Sequence, residues 1–337
     1  MNKLNIGILV TLVLFFLSAC TQKDTAVTNA KSKLPKGDYF GLTVGTTAEM
    51  FAKGIVSREF QELNAVFSPD GNEFYYTIAD PFRNFYTIVF YKRNKNDEWE
   101  GPEVAPFSGS YADADPSFSS DGKRLFFISK RPLNDSTITS KKDFDIWAVD
   151  RTSTGWGTPI NLDFLNTTTN EFYVSTTDAG SIFFSAQYKD GLGRGDIYEA
   201  RRGDDGMMNI ENLGGAINSP TGEGDPYVSP DGKMIIFMSW GREDDLGGGD
   251  LYISFKKDGK WSKAKNLGSK INSNQFEYCP MMSPDGKYFF WTSYRTSNYN
   301  SASPRDYKAL EGRLNGTDNG LGNVYWIDAK VLEEFRN

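Results

Sequence analysis

Val66-Phe67-Ser68-Pro69-Asp70-Gly71, running on to Phe74-Tyr75-Tyr76, decides the fold of this chain, because the phrase returns four more times. It recurs as Phe118-Ser119-Ser120-Asp121-Gly122 before Leu125-Phe126-Phe127, and as Val228-Ser229-Pro230-Asp231-Gly232 before Ile235-Ile236-Phe237. Met282-Ser283-Pro284-Asp285-Gly286 before Tyr288-Phe289-Phe290 is another copy. The degenerate one, Val174-Ser175-Thr176-Thr177-Asp178-Ala179-Gly180 before Ile182-Phe183-Phe184, holds one extra residue between Asp and Gly. The turn aspartates are 51, 57, 53 and 54 residues apart, a period that signals an array of like units.

Asp-Gly between two short apolar runs supplies the positive φ of a tight hairpin, so each phrase joins a strand A to a strand B. The B runs are apolar on consecutive residues, which requires cover on both faces. A third strand follows, usually opened by Asp: Asp145-Ile146-Trp147, Asp196-Ile197-Tyr198 and Asp250-Leu251-Tyr252, with Thr87-Ile88-Val89 and Asn323-Val324-Tyr325 as variants. A fourth is marked by Trp99, Trp156, Met208 and Trp261 in repeats one to four. Repeat five lacks it. Glu49 to Ser57, which resembles the D-strand segment Ala264 to Ser273, is expected to fill that place and remove an open sheet edge. The expected fold is all-β: a propeller of four-stranded blades, five in number with six as the alternative, over residues 39–337 and closed by an N-terminal strand.

The Ser-Pro-Asp-Gly hairpins resemble the WD-repeat-like propeller repeats of the TolB family of periplasmic proteins. The resemblance spans about residues 40 to 330 and implies the fold, while function must be argued from the site. TolB proteins carry a further N-terminal domain for which this chain has no room, so their partners are not carried over.

Ahead of the repeats, Ile6 to Leu17 is an apolar run of twelve, the size of a signal-peptide core and too short to span a bilayer. Leu17-Ser18-Ala19-Cys20 resembles the bacterial lipobox, which implies cleavage after residue 19, lipidation of Cys20 and attachment to the cell envelope. Residues 20–38 are polar, without apolar periodicity, and read as a tether. Within them Gln22-Lys23-Asp24 resembles a surface-export signal of some Gram-negative lipoproteins.

With Cys20 lipidated, Cys279 has no disulfide partner within the chain. The net charge of −7 argues against nucleic acid as a partner. No His occurs in the 337 residues, which excludes Ser-His-Asp and Cys-His hydrolases and any imidazole base. Catalysis would rest on carboxylates, Tyr, Lys or Arg.

Each repeat places a carboxylate just before strand A: Glu62, Asp113, Glu171, Glu223 and Glu277. On the innermost strands these are expected to ring the mouth of the central channel. Such a ring suits Ca²⁺, the one cofactor considered, or a cationic ligand. Alternatively Arg131, Arg242, Arg295 and Lys189, which follow strand B, with Arg83 further out, pair with the carboxylates and fix blade geometry. One connection breaks the symmetry. Tyr294 to Gly322 is far longer than its counterparts and carries Tyr299, Arg305, Tyr307, Lys308 and Arg313. The glycine-rich pieces at 191–195 and 247–249 precede strands, which favours turns over phosphate loops.

Because the ring looks equivalent from blade to blade, it lacks the inequality that acid–base chemistry needs. The main reading is therefore a non-catalytic module that binds or scaffolds a protein, glycan or envelope component, with an enzyme disfavoured. The alternative is a carboxylate-dependent glycoside hydrolase. Oligomeric state is left open.

Overall fold

The structure is a computed structural model, and it describes residues 35–133, 141–296, 306–317 and 319–336. The signal and lipobox calls, Cys20 included, lie outside the described residues.

Five antiparallel sheets form the fold, one per repeat. Blade 1 runs Gln61–Phe67, Glu73–Ala79, Tyr86–Arg93 and Trp99–Val104 as strands A to D. Blade 2 has Asp113–Phe118, Arg124–Ser129, Asp145–Thr152 and Ile160–Asn161. Blade 3 has Glu171–Thr176, Ile182–Ala186, Asp196–Arg202 and Met208–Asn212. Blade 4 has Glu223–Val228, Met234–Ser239, Asp250–Lys257 and Lys265–Asn266. Blade 5 has Glu277–Met282, Tyr288–Ser293 and Asn323–Asp328, and its D strand is Glu49–Met50, paired with Trp326 and Tyr325. Each A strand packs against the A strands of its two neighbours, and the last against the first, which closes the ring. The protein is a five-bladed β-propeller.

The hairpin phrase works through its serine as well as its glycine. Ser68 Oγ donates to Asp70 Oδ1 (2.6 Å) and accepts the Glu73 N–H (2.9 Å), while Gly71 takes φ 70°. The third repeat replaces Ser by Thr177, whose hydroxyl accepts the Ser181 N–H, and its extra residue still leads into a positive-φ Gly180. The Asp that opens strand C accepts from an Asn of strand D: Asn161 to Asp145 (3.0 Å), Asn212 to Asp196 (2.7 Å) and Asn266 to Asp250 (2.6 Å).

The N-terminal strand copies its blade 4 counterpart in detail. Phe51 N–H donates to Val324 O (2.8 Å) as Leu267 N–H does to Leu251 O (3.0 Å). Ahead of it, Tyr39 packs edge-on against Phe67 of blade 1 and Tyr288 of blade 5, and its hydroxyl donates to Asp285 (2.7 Å). Phe40 stacks on Trp99 (4.6 Å), so two aromatic rings staple the seam where chain ends meet. Pro35 and Gly37 accept hydrogen bonds from Trp99, so residues 35–37 already lie against blade 1.

Strand A does not run straight. In every blade its pairing with strand B skips a step, and a non-glycine residue at the skip takes positive φ: Asn64 (52°), Asp115 (54°), Tyr173 (48°), Asp225 (52°) and Cys279 (51°). These are β-bulges, one per blade, which free a side chain from the ladder and re-aim it.

Candidate functional site

Glu62, Asp113, Glu171, Glu223 and Glu277 are all buried at the start of an A strand. Of the five, Glu223 also lines the cavity described below, while bulge residues two positions further on hydrogen-bond to one another between blades.

In blades 2, 4 and 5 the expected arginine is in place. Arg131 reaches Asp113 (2.8 Å), Arg242 reaches Glu223 (2.8 Å) and Arg295 reaches Glu277 (3.2 Å). A serine at the end of strand B donates to the same carboxylate: Ser129 at 2.6 Å, Ser239 at 2.9 Å and Ser293 at 2.7 Å. Each guanidinium also donates to the carbonyl of Phe107, Ile217 or Ile271 and lies over two aromatic rings of its own blade.

Blades 1 and 3 break the pattern. Glu62 accepts the Arg58 N–H (3.2 Å) and Glu171 the Thr167 hydroxyl (2.6 Å), and the second oxygen of each is buried without a hydrogen-bond partner among the described residues. Ala186 stands at the serine position of blade 3 and Tyr188 at the arginine position, its hydroxyl donating to Leu165 O in the arginine's stead. Lys189, the expected partner, is exposed and makes no ion pair among the described residues. Arg83, expected near Glu62, donates to the Tyr294 hydroxyl instead. Unrelieved burial pushes the carboxyl of Glu62 up to about 8 and that of Glu171 up to about 7.

A cavity of about 230 Å³ opens over the channel on the face of the B-to-C connections. Three of the bulge residues, Asp115, Asp225 and Cys279, line it. Asn64 Nδ2 lies 3.4 Å from Asp115 Oδ1, and Cys279 donates its N–H (3.1 Å) and points its thiol (3.6 Å) at Asp225 Oδ2. Tyr173 crosses from blade 3 to donate its hydroxyl to Pro280 O of blade 5 (2.5 Å). Burial first, and then the charge of Asp225, hold the Asp115 carboxyl well above the ordinary range. Burial also lifts Asp225, to about 6, against the opposing pull of the Cys279 hydrogen bonds. The cavity thus holds two carboxylates with unequal surroundings. Burial pushes the Cys279 thiol up as well, away from thiolate chemistry. Aromatic walls come from Tyr86, Phe144, Phe172, Trp240, Phe276 and Tyr278, and Arg83 and Arg194 stand exposed at the mouth.

No described residue of the long blade 5 connection lines this cavity. Its described part contains the helix Tyr307–Leu314, which buries no residue, and Tyr307 itself is exposed. Tyr299 and Arg305 lie outside the described residues. The glycine-rich piece before strand C of blade 3 is a turn, with Asp196 accepting the N–H groups of Leu192 (2.6 Å) and Gly193 (2.9 Å). Among the described residues no three Cys, Asp or Glu side chains gather as metal ligands would.

Sequence reasoning missed the bulge residues, although a signal was there. Proline follows the bulge as Asp115-Pro116, Asp225-Pro226 and Cys279-Pro280, and proline inside a strand is confined to edges and bulges.

No protein-family model matches the chain, and no curated protein matches it. Among solved structures it is similar to α-L-arabinofuranosidase from Lactobacillus brevis, with TM-score 0.45 and 11% identity over 81% of this chain and 91% of that one. A thermostable family-43 glycoside hydrolase gives TM-score 0.43 and 11% identity over 72% and 86%. Tricorn protease gives 0.40 and 16% over 68% of this chain, which spans only 20% of that protein. At these TM-scores and identities the likenesses carry no argument about what the chain does. The TolB-type and WD-repeat kinship, and the lipoprotein class read beside it, give way to the coarser statement: a five-bladed propeller distantly similar to several propeller enzymes. The expectation of a non-catalytic module, with enzyme activity disfavoured, is corrected too. It rested on carboxylates equivalent from blade to blade, and the structure has two unequal ones in a single cavity.

Proposed function

We propose that the protein is a glycoside hydrolase that uses Asp115 and Asp225 as its acid–base pair. The observation that carries this is the pair itself, two carboxylates on bulges of blades 2 and 4, lifted to different extents and lining one aromatic-walled cavity. The chain has no His, and burial pushes the Cys279 thiol and the lining tyrosines Tyr86 and Tyr278 up, so the carboxylates are the lining groups best suited to acid–base work near neutral pH. Asp115, whose protonated form is favoured by burial and by the charge of Asp225, is assigned the proton that the departing glycosidic oxygen takes. Asp225, at about 6, is ionised and takes the proton of an attacking water or meets the anomeric carbon directly. The C–O bond breaks, the leaving group departs as an alcohol, and water supplies the new anomeric hydroxyl. Aromatic walls give the apolar faces of a sugar ring a surface to lie on. Glycans met in the cell envelope are the substrates in this reading.

The test is hydrolysis of a panel of chromogenic glycosides by the wild type and by Asp225→Asn and Asp115→Asn, with folding checked by circular dichroism. Each substitution is expected to lower kcat by roughly 10²- to 10⁴-fold. The wild-type rate rises with pH through about 6 as Asp225 ionises and falls at higher pH as Asp115 loses its proton. A folded wild type that turns over none of the panel, or variants as active as wild type, sinks the reading.

A further inference from the structure

Two exposed arginines stand at the cavity of an acidic chain. The chain is acidic, at −7, and nine of its described arginines have a carboxylate within 4 Å. Arg83 and Arg194, the two arginines that line the cavity, have none. Both belong to B-to-C connections, of blades 1 and 3, so they face the cavity from two sides with blade 2 between them.

Each is held ready by its backbone. Arg83 sits at φ 57° in a turn in which its N–H donates to Asp80 O (2.9 Å), and the Asp80 carboxylate accepts from Asn84 (2.8 Å) and the Phe85 N–H (3.1 Å). Its guanidinium lies over the rings of Tyr278 and Tyr294 and donates to the Tyr294 hydroxyl, which leaves most of its five donors unused. The loop carrying Arg194 is pressed against blade 4. A Cβ on Gly193 would stand 2.4 Å from Ser219 O, and Gly195 O accepts the Glu223 N–H (2.8 Å). The Arg194 side chain itself makes no hydrogen bond or ion pair among the described residues.

We infer that the cavity takes an anionic sugar, with Arg194 and Arg83 grasping its carboxylate or sulfate group while the ring lies over Asp115 and Asp225. The substrate class is then uronosides or sulfated glycosides, and the assignment deepens the hydrolase reading and rests on it. Guanidinium forks match planar and tetrahedral oxyanions with paired donors, and two arginines without a carboxylate in ion-pair reach, on an acidic chain, favour an anion at the cavity they line, although the Arg83 charge also acts on Asp115 and Asp225. The volume, about 230 Å³, lies below the ~300 Å³ at which drug-sized sites begin and suits one sugar unit.

Titration calorimetry on the full chain with glucuronic acid, galacturonic acid, galactose 6-sulfate, glucose and galactose tests this. The acidic or sulfated sugars are expected to bind at least tenfold more tightly than the neutral ones, and several-fold less tightly when salt is raised. Arg194→Gln weakens the anionic sugar at least tenfold. Arg202→Gln, at an exposed arginine that donates to Gly206 O on the C-to-D turn of blade 3, leaves it unchanged. Comparison of the carboxylate and sulfate arms identifies which oxyanion is meant. Neutral sugars bound as tightly, an Arg194→Gln chain that binds as wild type, or no binding at all overturns the assignment. Turnover of neutral glycosides that is lost in Asp225→Asn overturns it while leaving the hydrolase reading intact. Anion binding without turnover of any glycoside keeps the arginine clamp and removes the hydrolase.

Discussion

Blades 2, 4 and 5 and blades 1 and 3 come from one repeat, yet they settle the same buried carboxylate in two ways. In the first group an arginine, a strand-B serine and a loop serine surround it, so charge is met by charge. In the second group the arginine is absent, one oxygen is left bare, and the carboxyl is driven towards its neutral form. A shared position therefore marks a shared backbone task, and the ionisation state is decided by the neighbour two or three residues past strand B. The group with struts is also the group with proline after the bulge, so the blades that supply Asp115, Asp225 and Cys279 to the cavity are the ones braced by an ion pair.

The sharpest way to break the comparison is to unpair the most enclosed strut. Arg131 and Asp113 are both buried, so Asp113→Asn leaves a guanidinium without its counter-charge and should cost roughly 3–5 kcal/mol in chemical denaturation. A loss below about 1 kcal/mol would mean that the struts are decorative.

The unbraced blades should respond in the opposite sense. A carboxyl with a raised folded-state pKa binds more protons folded than unfolded, so its contribution is full below about 4.5 and is lost as pH rises through 7 to 8. Wild-type melting temperature is expected to fall between pH 5 and pH 8. Glu62→Gln and Glu171→Gln flatten that slope and raise stability at pH 8 by roughly 1–3 kcal/mol, from the 1.36 kcal/mol that one pKa unit represents. Melts of the three proteins at both pH values decide it, and equal slopes would show that these carboxyls are not perturbed.

The smallest effect tests whether the two groups are interchangeable. Ala186→Ser with Tyr188→Arg writes the blade 2 strut into blade 3, and stability at pH 8 should rise by about 1 kcal/mol as Glu171 gains a charge partner. If the graft destabilises at pH 8, blade 3 differs from blade 2 in backbone and not only in side chains.

Blade number, hairpins and ring closure were legible because they rest on local chemistry repeated five times: Ser-Pro-Asp-Gly makes the turn, and a Glu49-to-Ser57 copy of a D strand stands where repeat five lacks one. Three of the five carboxylate partners were legible for the same reason. Arg83 and Lys189 were not, since sequence distance cannot tell a side chain that turns inward from one that meets Tyr294 or solvent. The cavity carboxylates escaped notice because a straight strand alternates faces, and a strand with a bulge breaks that alternation at the residue that matters. The long connection drew attention by length, which is a property of the chain and not of the cavity.

The bulges give the channel an alphabet. Asn64, Asp115, Tyr173, Asp225 and Cys279 spell one five-letter word, each letter written by a different blade at the place where the strand ladder skips. Because the skip takes the residue out of cross-strand pairing, a letter can change without altering the register of its sheet. The positive φ restricts the spelling: Asn, Asp and Gly are tolerated, whereas Val, Ile and Thr are barred by their branched Cβ. A propeller of this kind can rewrite the chemistry of its centre one blade at a time while the hairpins, struts and seam that hold the ring together stay as they are.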